Sequence, residues 1–191
     1  MSMKIQFELD DGDLKHFRNV MKKAREAQSH LDDVAIVSAA RGMLEGARKS
    51  KLPTFIAERL DRLQQLIDMV DDEGWALPDT ERRHVLSALT YFADPQDMIP
   101  DDVPVLGFLD DAIMIELVLR ELKHETEAYE DFCRFRSAEA ARRGEDASKL
   151  GRVDWAESRR QALLSRMRRR RKADRARLSG GGGRGSAFTL W

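Results

Sequence analysis

The sequence predicts an all-α protein: a helical bundle with a Pro/Asp-rich helix–corner–helix unit and a basic, partly disordered C-terminal tail. Three observations predict it. Apolar residues recur at three- and four-residue spacing along most of the 191-residue chain. The one alternating stretch, Lys4 to Leu9, supplies a single strand, which cannot make a sheet. Three of the five prolines, Pro95, Pro100 and Pro104, fall inside ten residues and bar a helix from that stretch.

The elements follow in order. Asp11 or Asp13 caps a first helix with Leu14, Phe17, Met21 and Ala24 inside. Ser29 opens a second, carrying Leu31, Val34, Val37, Leu44 and Ala47, with Gly42 and Gly46 spaced for close approach of another helix. Pro53 starts a third, whose Ile56, Leu60, Leu63, Ile67 and Val70 stripe can pair within the chain or between chains. Pro78 to Glu81 starts a fourth, with Val85, Leu89 and Phe92 inside, ending where Pro95 keeps Asp94 out of the α region. A fifth runs unbroken from Phe108 to about Arg143 and stops at Gly144. A last one covers about Val153 to Leu178, before the linker composition SGGGGRGS. The implied division is an N-terminal helical region (1–75), a central helical domain (76–143) and a basic helix with a Gly-rich tail (144–191).

Near-neutrality conceals a split. With 33 basic and 34 acidic residues the net charge is −1, yet residues 1–140 hold 18 basic against 29 acidic side chains (net −11), and residues 141–191 hold 15 against 5 (net +10). The start lacks the charge and apolar core of a secretory signal, and the longest apolar stretch, Ala112 to Leu119, is far short of the roughly 20 residues a membrane span needs. The lone Cys133 excludes an intrachain disulfide or thiolate zinc site and reads as a buried, inert thiol. The expected location is the cytoplasm, with the inner membrane face as the peripheral variant.

The most specific string is LTYFADPQDMIPDDVPVLGFLDDAIMIELVLRELK, Leu89 to Lys123. Its Tyr91, Asp94, Pro95, Asp97, Ile99, Pro100, Asp101, Pro104, Gly107, Asp110 and Asp111 follow one another in the order and spacing of the YkvA-like family, which this segment resembles. That is a helical domain of unknown function. The resemblance implies no reaction; it implies membrane proximity for many relatives, an implication weakened here by the charged residues soon after Leu119.

Six carboxylates, Asp94, Asp97, Asp101, Asp102, Asp110 and Asp111, crowd this bend. One reading is a Mg²⁺ or Ca²⁺ site, since hard cations take several oxygens from a preset backbone, although the spacing is not that of an EF-hand. The reading preferred on the residues is structural, with no cofactor. Asp94, Asp97 and Asp101 bond turn N–H groups, while Asp110 and Asp111 sit in a helix's first turn, only one of them inward, with Arg82, Arg83 or His84 as its counter-charge. His16, His30, His84 and His124 lie at no ligand spacing and read as surface or boundary residues.

The other signal is Arg166, Arg168, Arg169, Arg170, Arg171 and Lys172, dense enough to ring a helix. Such a cluster draws nucleic-acid phosphates or anionic lipid heads, or folds back as a counter-charge to the acidic body. The expected function is therefore a non-enzymatic interaction or adaptor protein with an unidentified protein partner. The alternatives are a metal-binding module or metal-dependent enzyme using the Asp corner, and a peripheral membrane protein.

Overall fold

Helix α1 (Asp11–Ala27) is started by Asp10: its carboxylate accepts from the N–H groups of Gly12 (2.7 Å) and Asp13 (2.9 Å), and Asp13 returns the bond to the Asp10 N–H. The cap is thus one residue earlier than the sequence pattern suggested, because the reciprocal Asp10/Asp13 pair satisfies two orphan donors besides the one at Asp13. In this computed structural model residues 8–27, 29–50, 52–93, 108–147 and 150–180 are described, the side chains of 178–180 excepted. The strand expected from Lys4 falls mainly outside them, and no strand occurs among the described residues.

Helix α2 (Asp33–Arg48) is capped by Asp32, whose carboxylate accepts from Ala35 N–H at 2.8 Å; Ser29 lies in the preceding turn. The shift of start turns Val34 outward, to 75% exposure, and leaves Val37, Ala40, Leu44 and Ala47 as the buried face. Gly42 and Gly46 are exposed with no heavy atom near where a Cβ would stand, so no helix approaches there. Helix α3 (Thr54–Asp71) follows Pro53 and buries Ile56, Leu60, Leu63, Leu66, Ile67, Met69 and Val70. That face is too wide for a two-stranded seam and is used inside the chain, against α2, α4 (Asp79–Leu89), α5 (Leu109–Glu121) and α6 (Lys123–Arg143). A 3₁₀ turn, Tyr91–Ala93, closes α4 and packs on α1 and α2.

The unbroken fifth helix is two. At Leu122 the backbone leaves helical geometry (φ −91°, ψ 17°), separating α5 from α6. The cause is local: the Thr126 hydroxyl donates back to the carbonyls of Leu122 (3.2 Å) and Lys123 (3.0 Å) beside the Thr126 N–H bond to Leu122 (2.9 Å), a back-bonding that bends helices. Helix α6 ends as expected, at Gly144 in the left-handed region (φ 69°).

The basic segment is not an appendage in its helical part. Helix α7 (Asp154–Gly180) lies along α6 and buries Ala156, Arg160, Leu163, Leu164 and Met167. Burying the three large apolar side chains is worth about 1.5–3 kcal/mol each, which outweighs the low helix-face hydrophobicity seen in the sequence. The buried apolar residues, from Phe17 in α1 to Met167 in α7, form one cluster fed by all seven helices.

Candidate functional site

Two polar seams tie α7 and α6 to the rest, and both are built from charges set into apolar stripes. The first surrounds the turn after α3. Asp72, 9% exposed at its side chain, takes two bonds from the Arg136 guanidinium (2.7 and 2.6 Å), one from Tyr129 hydroxyl (3.1 Å) and one from Trp75 N–H (3.0 Å). Burial alone would raise the Asp72 carboxyl; the Arg136 bonds and charge and the Trp75 N–H overcome it and hold the pKa below the ordinary value. Trp75 packs on Tyr129 and Phe132, and Gly74 must lack a side chain, because a Cβ would stand 2.5 Å from Arg136 Nη1 and 2.9 Å from the Gly151 carbonyl oxygen. From α7, Arg160 donates to the carbonyls of Trp75 and Ala76, both at 3.2 Å, fixing Ala76 at an unusual φ of 44°. Cys133 is half-buried beside this knot, its thiol pushed up chiefly by burial.

The second seam joins α4, α6 and α7. Glu81 and Glu125 are both 1% exposed. Arg168 grips Glu81 through two bonds (3.1 and 2.9 Å), and Arg171 bridges Glu81 (3.1 Å) to Glu125 (2.5 Å). Burial works to raise the Glu81 carboxyl, but the Arg168 bond and charge outweigh it and keep the group below its ordinary value. Neighbouring His84 is pushed down, first by burial and then by the Arg171 charge. Further out, Arg166 pairs with Asp131, Arg170 with Glu127 (2.8 Å) and His124 Nε2 with Asp174 (2.9 Å). His124 is therefore a buried seam residue rather than a surface one, placed there by the apolar run of α6 that carries Leu122, Ala128 and Tyr129 inward.

Of the six cations expected to bind polyanions, Arg166, Arg168, Arg170 and Arg171 thus face carboxylates of the same chain. Arg169 and Lys172 are exposed and form no ion pair among the described residues; with Arg175 and Arg177 they make a cationic outer edge on the C-terminal half of α7. Met167, the large apolar residue of that half-helix whose side chain is described, points the other way, into the core.

At the Pro/Asp corner, Tyr91 is buried edge-on to Phe92 at 4.9 Å. Asp110 and Asp111 are both 4% exposed, which corrects the expectation that one faces water; α5 packs on both α3 and α6. Arg82 is turned elsewhere, to Asp33 and the Val70 carbonyl. The other motif residues, Asp94, Pro95, Asp97, Pro100, Asp101, Asp102, Pro104 and Gly107, lie outside the described residues. Among the described residues no group of His, Cys, Asp or Glu side chains is arranged to hold a metal ion, and no helix is long and apolar enough to cross a membrane.

Glu125 and Arg160 had a sequence signal. Each breaks an apolar stripe at helical spacing, Leu122–Glu125–Tyr129–Phe132 in α6 and Ala156–Arg160–Leu163–Met167 in α7, and a charge on such a stripe is buried with a partner. Glu81 gave no such signal, since it reads as an ordinary first-turn acid.

A family model described as "Protein of unknown function (DUF1232)" matches residues 83–117, from the middle of α4 through the corner to the middle of α5. No curated protein and no solved structure matches the chain.

Proposed function

We propose that the chain is a YkvA-like, non-enzymatic interaction protein of the cytoplasm, and that the outer edge of α7 binds the phosphate backbone of nucleic acid. In this reading the Pro/Asp corner is the structural joint between α4 and α5, with no metal required. The observation that carries it is the division of labour along α7. Four of its cations are held by carboxylates of the body, while Arg169, Lys172, Arg175 and Arg177 face solvent without ion pairs among the described residues, four charges within nine residues. Spaced along two helical turns, they supply charge for phosphate contacts but carry no base-reading geometry, so binding is sequence-independent and salt-dependent.

A nucleic-acid backbone is favoured over a lipid surface because interfacial docking needs apolar side chains beside the cations, and Leu163, Leu164 and Met167 are buried. The test is a mobility shift with a random-sequence duplex, run beside co-sedimentation with phosphatidylserine vesicles at two salt concentrations. Duplex binding that falls with salt and disappears in Arg169→Glu/Lys172→Glu supports the proposal. Binding to vesicles alone makes the protein a peripheral membrane protein, and binding to neither at low salt leaves α7 as an internal counter-charge.

A further inference from the structure

Away from α7, the acidic body carries a patch of opposite sign. Arg59 and Arg62 of α3 and Arg120 and Lys123 from the α5–α6 junction line an open groove of about 400 Å³, against only two carboxylates, Glu58 and Glu116. Two of these cations are engaged. Arg62 bonds Glu130 at 2.7 Å, and Arg59 is shared loosely between Glu58 (3.3 Å) and Glu116 (3.8 Å). Arg120 and Lys123 form no ion pair among the described residues, so the groove keeps an excess of positive charge in a region, residues 1–140, whose net charge is −11.

The groove is also elongated and partly apolar. Glu58, Arg59 and Arg62 share one α3 face with Phe55, which lies about a turn beyond the groove's end and is 43% exposed, one of two large apolar residues so placed among those described. On the other wall Leu119 shares a face with Glu116, Arg120 and Lys123. The wall from Glu116 to Lys123 is two helical turns, about 10 Å, long, and the α3 wall, Glu58 to Arg62, is about one turn that Phe55 extends. A lone phosphate would use a fraction of that length and neither apolar side chain.

The geometry points to a docking groove for an acidic, helix-forming peptide segment of a partner protein. Its carboxylates meet Arg120 and Lys123, and its apolar side chains rest on Phe55 and Leu119, the helix-in-groove arrangement in which apolar anchors recur every three to four residues. Charge complementarity selects the occupant: residues 1–140 carry a net charge of −11, whereas this groove sets four cations against two carboxylates and attracts an acidic peptide.

The test is fluorescence anisotropy of the full chain with a labelled helix-forming probe of about 14 residues, bearing leucines at i and i+4 flanked by glutamates. Saturable binding is expected, weakened about tenfold or more by Arg120→Glu/Lys123→Glu and reduced by Phe55→Ser. Arg169→Glu/Lys172→Glu, which tests the α7 edge, is expected to leave it unchanged, so the two proposals fail separately. Because the Arg120 and Lys123 side chains hold no ion-pair partner among the described residues, the melting temperature of their variants stays at the parent value, and Arg120→Gln/Lys123→Gln gives the same loss without reversing charge. The proposal is overturned by absent binding, by equal affinity of the Glu→Gln probe, by an unaffected Arg120→Glu/Lys123→Glu variant, or by displacement with millimolar inorganic phosphate, which makes the groove a small-anion site. A dimer in light scattering that disappears in the same variant overturns it in favour of a second copy of the chain.

Discussion

Replacing Arg171 with Met isolates the energetic meaning of the α7 seam. Arg171 has 18% of its side chain exposed and touches two carboxylates that are 1% exposed. Glu81 retains Arg168 after the substitution, but Glu125 loses its ion-pair partner, and its Oε2 already takes no hydrogen bond among the described residues. Breaking one side of a buried pair costs about 3–5 kcal/mol. The lower end applies here, because half of Arg168 is solvated and helps neutralise the site. About 3 kcal/mol in a chain of this size corresponds to a fall in Tm of roughly 6–12 °C. The companion variant, Arg171→Met/Glu125→Met, removes the charge that was stranded and places two flexible apolar chains in the gap, so most of the loss returns. Urea and thermal unfolding followed by circular dichroism measure both. The reasoning fails if the double variant is as unstable as the two single losses added together, which would mean that Arg171 and Glu125 do not interact, or if Arg171→Met alone costs less than about 0.5 kcal/mol, the level of a surface change.

Other consequences are equally direct. Depressed Asp72 and Glu81 carboxyls contribute stability that is complete above their unfolded values near pH 4 and lost as pH falls through the folded ones; depressed His84, facing Arg171, Arg175, Glu81 and Glu125, adds a shallower loss that begins below about pH 6.5. His84→Gln should flatten the upper limb of a stability–pH curve and leave the lower one, and an unchanged upper limb would refute the assignment. Gly74→Ala should destabilise by about 1–3 kcal/mol, since both Arg136 and the Gly151 backbone would have to move, whereas Gly42→Ala and Gly46→Ala, in open space on α2, should each stabilise by about 0.5–1 kcal/mol in chemical denaturation. Ending the chain at residue 150 should abolish a cooperative melt, because Leu163, Leu164 and Met167 leave the shared core; a sharp transition in that fragment would show that α7 is dispensable for folding.

What could be read from the sequence was what local physics governs. The α3 stripe, the Pro53 and Pro78 starts and the Gly144 stop follow from side-chain period and backbone restriction, and all appear where those rules put them. The rest was not legible, either because several local signals compete or because a distant element decides. Asp10 and Asp32 cap their helices because of bonds formed only once the helix has started, and a Ser or Asp a few residues away looks equally suitable beforehand. The break at Leu122 turns on one threonine hydroxyl, and Thr126 has no pattern that distinguishes it from a solvated threonine. For the candidate site the arginine cluster was visible but its destination was not. The acids that receive it, Glu81, Glu125, Glu127 and Asp131, lie 35 to 90 residues earlier in sequence, and only packing of α7 on α6 and α4 brings them together.

That destination decides whether a polyanion would pull α7 away or bind it in place. Detaching the helix forfeits the burial of Leu163, Leu164 and Met167, at least about 5 kcal/mol, before the Glu81 and Glu125 pairs are opened. Sequence-independent binding through a few phosphate contacts yields a dissociation constant of about 10⁻⁴–10⁻⁶ M, or roughly 5–8 kcal/mol. Nearly all of that would be consumed by detachment, leaving little net affinity. The same contacts made to Arg169, Lys172, Arg175 and Arg177 on the docked helix require no rearrangement and keep their full value. The thermodynamically favoured complex is therefore one in which α7 stays seated, its inner arginines neutralising the body's buried acids while its outer edge meets the ligand. Polyanion binding should then raise the melting temperature, whereas a helix captured in the detached state would lower it.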